Sequence, residues 1–312
     1  MSVRSHVSPV RRGEGMRGRS SWEIRQKRAF VVMLLPSLAV LGIITFGPFV
    51  YLLVTSFTPL NLTMPGSFHW AGALNYTALI QDDRFFNSLW VQARLSFWTV
   101  LFQVLVGLGL ALLLNSHHRF IEILRGTFII PMVLPPVVVA VIWKIFFTPG
   151  VSVLNWSLGL LGLPQPNWLG DATLAIWAIV ITDVWEWMPF TMLIILAALQ
   201  MLPTEPLEAA EIDGASRLQL FRYVVLPLLR PAIVLAALFR FIDSVKVFPE
   251  IFIMTGGGPG TATEATNYYA YLEGFSYTFI GYASAIVVVM LAVTFFLSYL
   301  TIQTIGTGVD VE

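Results

Sequence analysis

The chain contains no cysteine. That absence excludes a disulfide framework, a thiolate metal site and a cysteine nucleophile. Charge is scarce too: 12% of residues are Asp, Glu, Lys or Arg, against about 25% in soluble domains. No H-E-x-x-H or other paired metal-ligand spacing occurs, and His117-His118 reads as a solvated pair in a polar connection. No G-x-x-x-x-G-K-[ST] occurs either. The glycines at 256–258 have no Lys behind them and no strand before them, so the chain cannot hold ATP through a P-loop. There is no G-x-S-x-G elbow or other nucleophile constellation. Nothing points to nucleic acid, because the one basic cluster adjoins an apolar run and reads as a topology signal.

What the chain has instead is apolar length. It is 57% hydrophobic with a mean hydropathy of +0.78, which marks an integral membrane protein. Six stretches, near 29–57, 88–115, 125–147, 172–200, 229–253 and 281–303, can each cross about 30 Å of hydrocarbon, which takes about 20 helical residues. Lipid offers backbone groups no partners, so the spans must be helices and the expected fold is all-α. Thirteen of the eighteen Lys and Arg residues fall before the first span, after the second and after the fourth. The connections on the other side hold only Arg84. The positive-inside rule therefore places both termini and the loop near Glu208 in the cytoplasm. The expected organisation is a basic cytoplasmic tail over 1–28, a six-span transmembrane domain over 29–303 and a short cytoplasmic tail over 304–312. Residues 1–21 are Arg- and Gly-rich and expected to be disordered, and Met16 is an alternative start. The first span is too long for a signal-peptide core and no A-x-A site follows it. The outer connections 58–87, 148–171 and 254–280 are too small to be domains, and Trp70, Trp156 and Trp168 fit interfacial anchors.

Between the fourth and fifth spans lies a polar island, Glu208-Ala209-Ala210-Glu-Ile-Asp213-Gly214-Ala215, followed by Leu226-Pro227 and Pro231. Its local grammar reads as two short helices. Pro206 sits where a helix can start, since its missing N–H would be unsatisfied there anyway. Gly214 is a helix stop. Ser216 with Gln219 reads as a capping box opening a second helix, which Pro227 and Pro231 end. An ordinary amphipathic interface helix is the plainer alternative.

Ionisable groups also lie within the spans: Asp183 and Glu186 in the fourth, and Arg240, Asp243, Lys246 and Glu250 in the fifth. Such groups are expensive in a membrane and usually face a bundle interior or a wet cavity. Carboxylates on one span can pair with Arg240 or Lys246 on the next, so a structural ion pair and a substrate path are both open readings. Pro189 frees the carbonyl of Trp185, and Pro135-Pro136 break the third span, either as binding-site breaks or as packing kinks.

The 204–231 segment resembles the EAA loop of ABC-transporter permeases, E-A-A-x-x-D-G-A, a spacer, then L-P and a later Pro, and matches it at each of those positions. The rest of the chain is similar to the carbohydrate branch, on the side of the larger maltose-type permease. The similarity rests on Gly107-Leu108, Ala111 to Asn115, Ile130-Pro131 to Pro135-Pro136 with Trp143, Trp185-x-x-x-Pro189 and Thr255-Gly-Gly-Gly-Pro259. Val91-Gln92 departs from the usual Asn-Thr, and the maltose protein's extra N-terminal spans and large outer domain have no counterpart.

The resemblance implies the ABC type I importer permease fold in a bacterial inner membrane. The chain would be half of the path for a sugar, oligosaccharide or polyol. Its partners would be a second related permease, two ATPase subunits that bind ATP and Mg²⁺, and an external solute-binding protein. The chain itself would hold no cofactor and would not be an enzyme. Glu208, Ala209, Ala210, Asp213, Gly214, Ala215, Leu226 and Pro227 would couple to the ATPase, and Asp183, Glu186, Trp187, Phe190, Asp243 and Lys246 would meet substrate. The alternatives are a glycerol-phosphate-type cargo, an ion-coupled secondary transporter, or a membrane enzyme or scaffold. The EAA pattern speaks against the ion-coupled carrier, and the missing catalytic constellation against the enzyme.

Overall fold

The computed structural model describes residues 21–116 and 118–306. The basic residues before Ser21, the expected disorder there, His117 and the end of the expected C-terminal tail lie outside the described residues. By internal contacts the chain divides into residues 1–52 and 53–312. Among the described residues the regular structure is entirely helical. Its elements are α1 (Ser21–Ser56), α2 (Leu74–Ile80), α3 (Asp83–Leu113), α4 (Arg119–Val133), α5 (Pro136–Phe147), α6 (Val153–Leu160), α7 (Ala172–Gln200), α8 (Thr204–Ile212), α9 (Arg217–Leu220), α10 (Leu226–Ser244), α11 (Thr266–Tyr271) and α12 (Ile280–Gly306). Three π-helical turns, Phe221–Val225, Ile251–Thr255 and Leu272–Ser276, interrupt them.

The described residues of the smaller unit all lie in α1, which begins at Ser21, inside the stretch expected to be tail, and contains Pro36 and Pro48. Five helices are long and apolar enough to span: Ala29–Ser56, Asp83–Leu113, Ala172–Gln200, Arg217–Ser244 and Ile280–Gln303. The third expected span, 125–147, is a pair, α4 and α5, bent by 96°. The bend follows from Pro135-Pro136: a residue before proline is pushed out of the helical region, and Leu134 and Pro135 are extended.

Helix ends follow their capping chemistry. Asp82 accepts from the Arg84 N–H to start α3, and Asp171 accepts from Thr173 and Leu174 to start α7. Two boundaries differ from the sequence expectation. Pro227 and Pro231 do not end the helix begun at Ser216; it runs on as one apolar helix to Ser244. The π turn before Pro227 shifts the bonding, with the Leu226 N–H reaching the Phe221 carbonyl, so the chain passes the prolines without breaking. The fifth span was expected to reach 253, but α10 stops at Ser244 and the chain unwinds to Phe248. The freed carbonyls are met from neighbouring elements: Gln92 Nε2 donates to Ser244 at 3.0 Å and Asn267 Nδ2 to Lys246 at 3.2 Å. The departure at Gln92 thus has a local use, holding a broken helix end.

Lipid tails are as apolar as the helices, so close packing rather than the hydrophobic effect holds spans together. At the contact of α3 with α7, a Cβ on Gly107 would lie 2.9 Å from the Thr191 side chain and 3.0 Å from the Met192 nitrogen. Only glycine permits that approach. Val91, Leu95, Ile176, Ile179, Val247 and Ile251 fill one core region. Ala111, Leu114, Met192, Ile195, Leu196 and Leu229 fill another.

Candidate functional site

The spans bring one group of sequence-flagged charges together. Arg240 of α10 is 1% exposed and sits among α3, α7 and its own helix. Its Nε donates to Gln103 Oε1 at 2.9 Å, its guanidinium lies 3.9 Å from Asp183 and 3.2 Å from Asp243, and it stacks over the Trp187 ring at 4.7 Å. Gln103 Nε2 donates in turn to Asp183 Oδ2 at 2.8 Å and to the Asp183 carbonyl at 3.0 Å. Asp183, Trp187 and Asp243 therefore belong to one network centred on Arg240. Lys246, at 68% side-chain exposure, joins it at the open edge through Asp243 at 3.4 Å. Gln103 went unnoticed in the sequence. The available signal was an amide in mid-span, on the helix that carries the Gly107 contact.

Glu186 behaves differently. It is fully buried, yet neither carboxylate oxygen meets a hydrogen-bond donor among the described residues. Glu250, also buried, is its electrostatic neighbour. Phe190 meets Phe239 edge-on, with ring centroids 6.3 Å apart. No group of three or more potential metal-ligating His, Cys, Asp or Glu residues forms among the described residues. Pro189 lies inside an unbroken α7.

At the start of α3 lies a second polar knot that the sequence did not announce. Asp82 accepts from the Tyr269 and Tyr282 hydroxyls, each at 2.5 Å. Burial alone would raise the Asp82 carboxyl, but these hydroxyls and the Phe85 and Arg84 N–H groups outweigh it and hold it below its ordinary value. Burial and the same bond to Asp82 raise Tyr269. Arg84 forms a two-pronged pair with Glu264, at 2.7 and 2.8 Å. The knot ties the 254–280 connection to α3.

The 204–231 segment forms two short helices meeting at Gly214. α8 begins at Thr204, two residues before Pro206, and Gly214 takes φ +79° to turn the chain. The capping box is present, with Ser216 and Gln219 bonded reciprocally. Glu208, Ala209, Asp213, Gly214 and Pro227 are exposed, and Ala210, Ala215 and Leu226 half-buried. Ile212, Leu218 and Tyr223 stand out as exposed apolar side chains, Ile212 at 86%. Between α8 and α9 is a hollow of about 340 Å³ lined by Ala210, Asp213, Gly214, Ala215, Gln219, Tyr223 and Val224.

Comparison with known proteins agrees with this geometry. Residues 103–304 match the family described as the binding-protein-dependent transport system inner membrane component. A probable ABC transporter permease of Sinorhizobium fredii is 38% identical over 253 residues, 81% of this chain and 82% of that one. The trehalose/maltose transport permease of Thermococcus litoralis is 37% identical, covering 75% and 79%. The sulfoquinovosyl glycerol transport permease of Agrobacterium fabrum is 35% identical, covering 89% and 90%. Among solved structures, a chain of a bacterial ABC transporter importing the acidic polysaccharide alginate superposes with a TM-score of 0.80 at 21% identity, covering 93% and 99%. Members of this family are transport permeases rather than enzymes, with ATP hydrolysis in separate subunits. The chain belongs to the family of binding-protein-dependent transport system inner membrane components, and it has the ABC importer permease fold.

Proposed function

We propose that this chain is one membrane-spanning half of an ATP-driven importer whose cargo is a neutral saccharide or polyol. The observation that carries the reading is the α8–Gly214–α9 element. It is a rigid, capped turn with no buried residue in α8 and exposed apolar side chains around a hollow. A membrane protein has little reason to hold such a shape unless another protein seats on it. The partner is an ATPase subunit, which binds the ATP and Mg²⁺ that this chain lacks the motif to hold. The basic residues place this element and both termini in the cytoplasm. A second permease completes the path, and an external binding protein delivers the solute; a solved relative of the same fold is described in complex with a pentasaccharide-bound periplasmic protein.

The cargo class is supported by the relatives, named for trehalose and maltose, arabinooligosaccharides and sulfoquinovosyl glycerol. Within that set the cluster favours a neutral solute. Arg240 is already engaged by Gln103, Asp183, Asp243 and Trp187, whereas Glu186 has only another carboxyl, Glu250, beside it and is left to bond a solute hydroxyl. Hydroxyls suit such acceptors, and the rings of Trp187 and Phe190 suit a sugar's apolar face. A phosphate or carboxylate cargo would need a cation not already paired.

The test is affinity purification of the chain from its native membrane, followed by mass spectrometry and an ATPase assay. We expect a second permease and an ATPase to co-purify, and the chain stripped of them to hydrolyse no ATP. Hydrolysis by the isolated chain, or recovery without an ATPase, overturns the assignment.

A further inference from the structure

From Ile145 to Gly170, between Lys144 and Asp171, the chain carries no Asp, Glu, Lys, Arg or His. This stretch includes α6 and leaves the end of a membrane-crossing segment. Connections surrounded by water are built from polar residues; this one is Val-, Leu- and Trp-rich.

Its Ser, Thr and Asn side chains up to Ser157 are tied inward. Thr148 Oγ1 donates to the Lys144 carbonyl at 2.6 Å, Ser152 Oγ to the Phe146 carbonyl, and Ser157 Oγ to the Val153 carbonyl at 2.9 Å. Asn155 is the hub. Its N–H reaches Ser152 Oγ at 3.0 Å, its Nδ2 the Pro166 carbonyl at 3.0 Å, and its Oδ1 accepts the Trp168 indole N–H at 2.8 Å. Trp168 also packs against Phe147, with ring centroids 5.5 Å apart.

Pinned on its Asn155 side, α6 turns Val153, Trp156 and Leu160 outward at 52%, 64% and 68% exposure. On α5, just before it in the chain and part of a pair apolar enough to cross a membrane, Val138, Val141 and Ile145 are exposed as well.

We propose that this face of α6 lies in the bilayer interface, with lipid as its partner. The helix lies in the membrane plane with its apolar face about 5–10 Å into the headgroup–acyl boundary, and the Trp156 ring sits at headgroup depth with its N–H towards water. Two facts together point to lipid: the whole 145–170 stretch is free of charge, and it emerges directly from a pair apolar enough to cross a membrane. The inference does not depend on which solute is carried.

Because the chain has no cysteine, single-cysteine variants can be labelled cleanly. A nitroxide is placed at Trp156→Cys, at Leu160→Cys and, as an aqueous control, at the exposed Gln81→Cys, in the assembled transporter in nanodiscs without the binding protein. Relaxation by oxygen, which partitions into lipid, is compared with relaxation by a water-soluble nickel chelate. Oxygen should dominate at 156 and 160 and the chelate at 81. Dominance of the chelate at 156 and 160 overturns the proposal, as does an immobilised label shielded from both, which would mean a protein cover. A milder variant, Trp156→Phe, provides a second readout. The tryptophan emission lost on substitution should be the part quenched by lipids brominated near the headgroup. Quenching of that part by aqueous iodide instead counts against the proposal.

Discussion

Arg240 and Glu186 are both buried charges in adjacent spans, but they are predicted to respond to mutation in opposite ways. Arg240 is held by an amide, two carboxylates and an indole. Removing one partner of a buried pair leaves the other uncompensated and costs about 3–5 kcal/mol. Arg240→Met should therefore lower the unfolding midpoint of the purified protein sharply, and adding Asp183→Asn should restore much of the loss. Equal midpoints for the single and double variants would show that Asp183 does not depend on Arg240. Glu186 has no amide, hydroxyl or cationic donor to lose among the described residues; its neighbour is a second carboxyl, Glu250. Glu186→Gln should leave the midpoint at the wild-type value or above. If Glu186 accepts a cargo hydroxyl, the variant should weaken uptake by roughly 5- to 150-fold, the equivalent of about 1–3 kcal/mol. Unchanged uptake would take Glu186 off the path. Asp183→Ala and Trp187→Ala should also cut transport, more than Trp156→Ala does, although Asp183→Ala will in addition destabilise.

At the scale of elements, the permitted approach of helices matters more than their length. α3 and α7 meet where Gly107 leaves no room for a side chain against Thr191 and the Met192 backbone. Gly107→Val must push one span off the other, and overpacking of this kind costs about 1–3 kcal/mol. The same shift would move Gln103, one turn away on α3, off its bonds to Asp183 and Arg240. We expect Gly107→Val to lower the unfolding midpoint and Gly109→Val, where a Cβ meets open space, to leave it near wild type. Equal loss in both would mean that helix propensity, not packing, dominates.

For the whole molecule, the question is how nucleotide chemistry in a partner reaches these spans. α8 and α9 join α10 through the Phe221–Val225 π turn without a flexible loop, so a push on α8 has a stiff route into the fifth span. Gly214→Asp puts a side chain where φ is +79° and beside the hollow, and Glu208→Lys reverses an exposed charge. Both should abolish uptake by the reconstituted transporter and uncouple its ATPase while leaving the spans inserted. Normal uptake in both variants would remove the docking role from this loop.

Much of this organisation is local, and local chemistry is written in sequence. Apolar length fixed the spans, since lipid leaves a backbone no choice but helix. Ser216, Gln219 and Gly214 specified the turn between α8 and α9, because capping and positive φ are decided within a few residues. Other features needed the fold. Nothing local indicates that Gln103 and Arg240 would meet, or that Gln92 would cap the broken end of α10, because those contacts join residues 137 and 152 positions apart. The charges at Asp183 and Glu186 look alike in sequence, three residues apart on one helix. Only packing decided that one would be bonded to Gln103 and Arg240 and the other set beside a second carboxyl, Glu250, because that depends on which neighbouring element presents a donor.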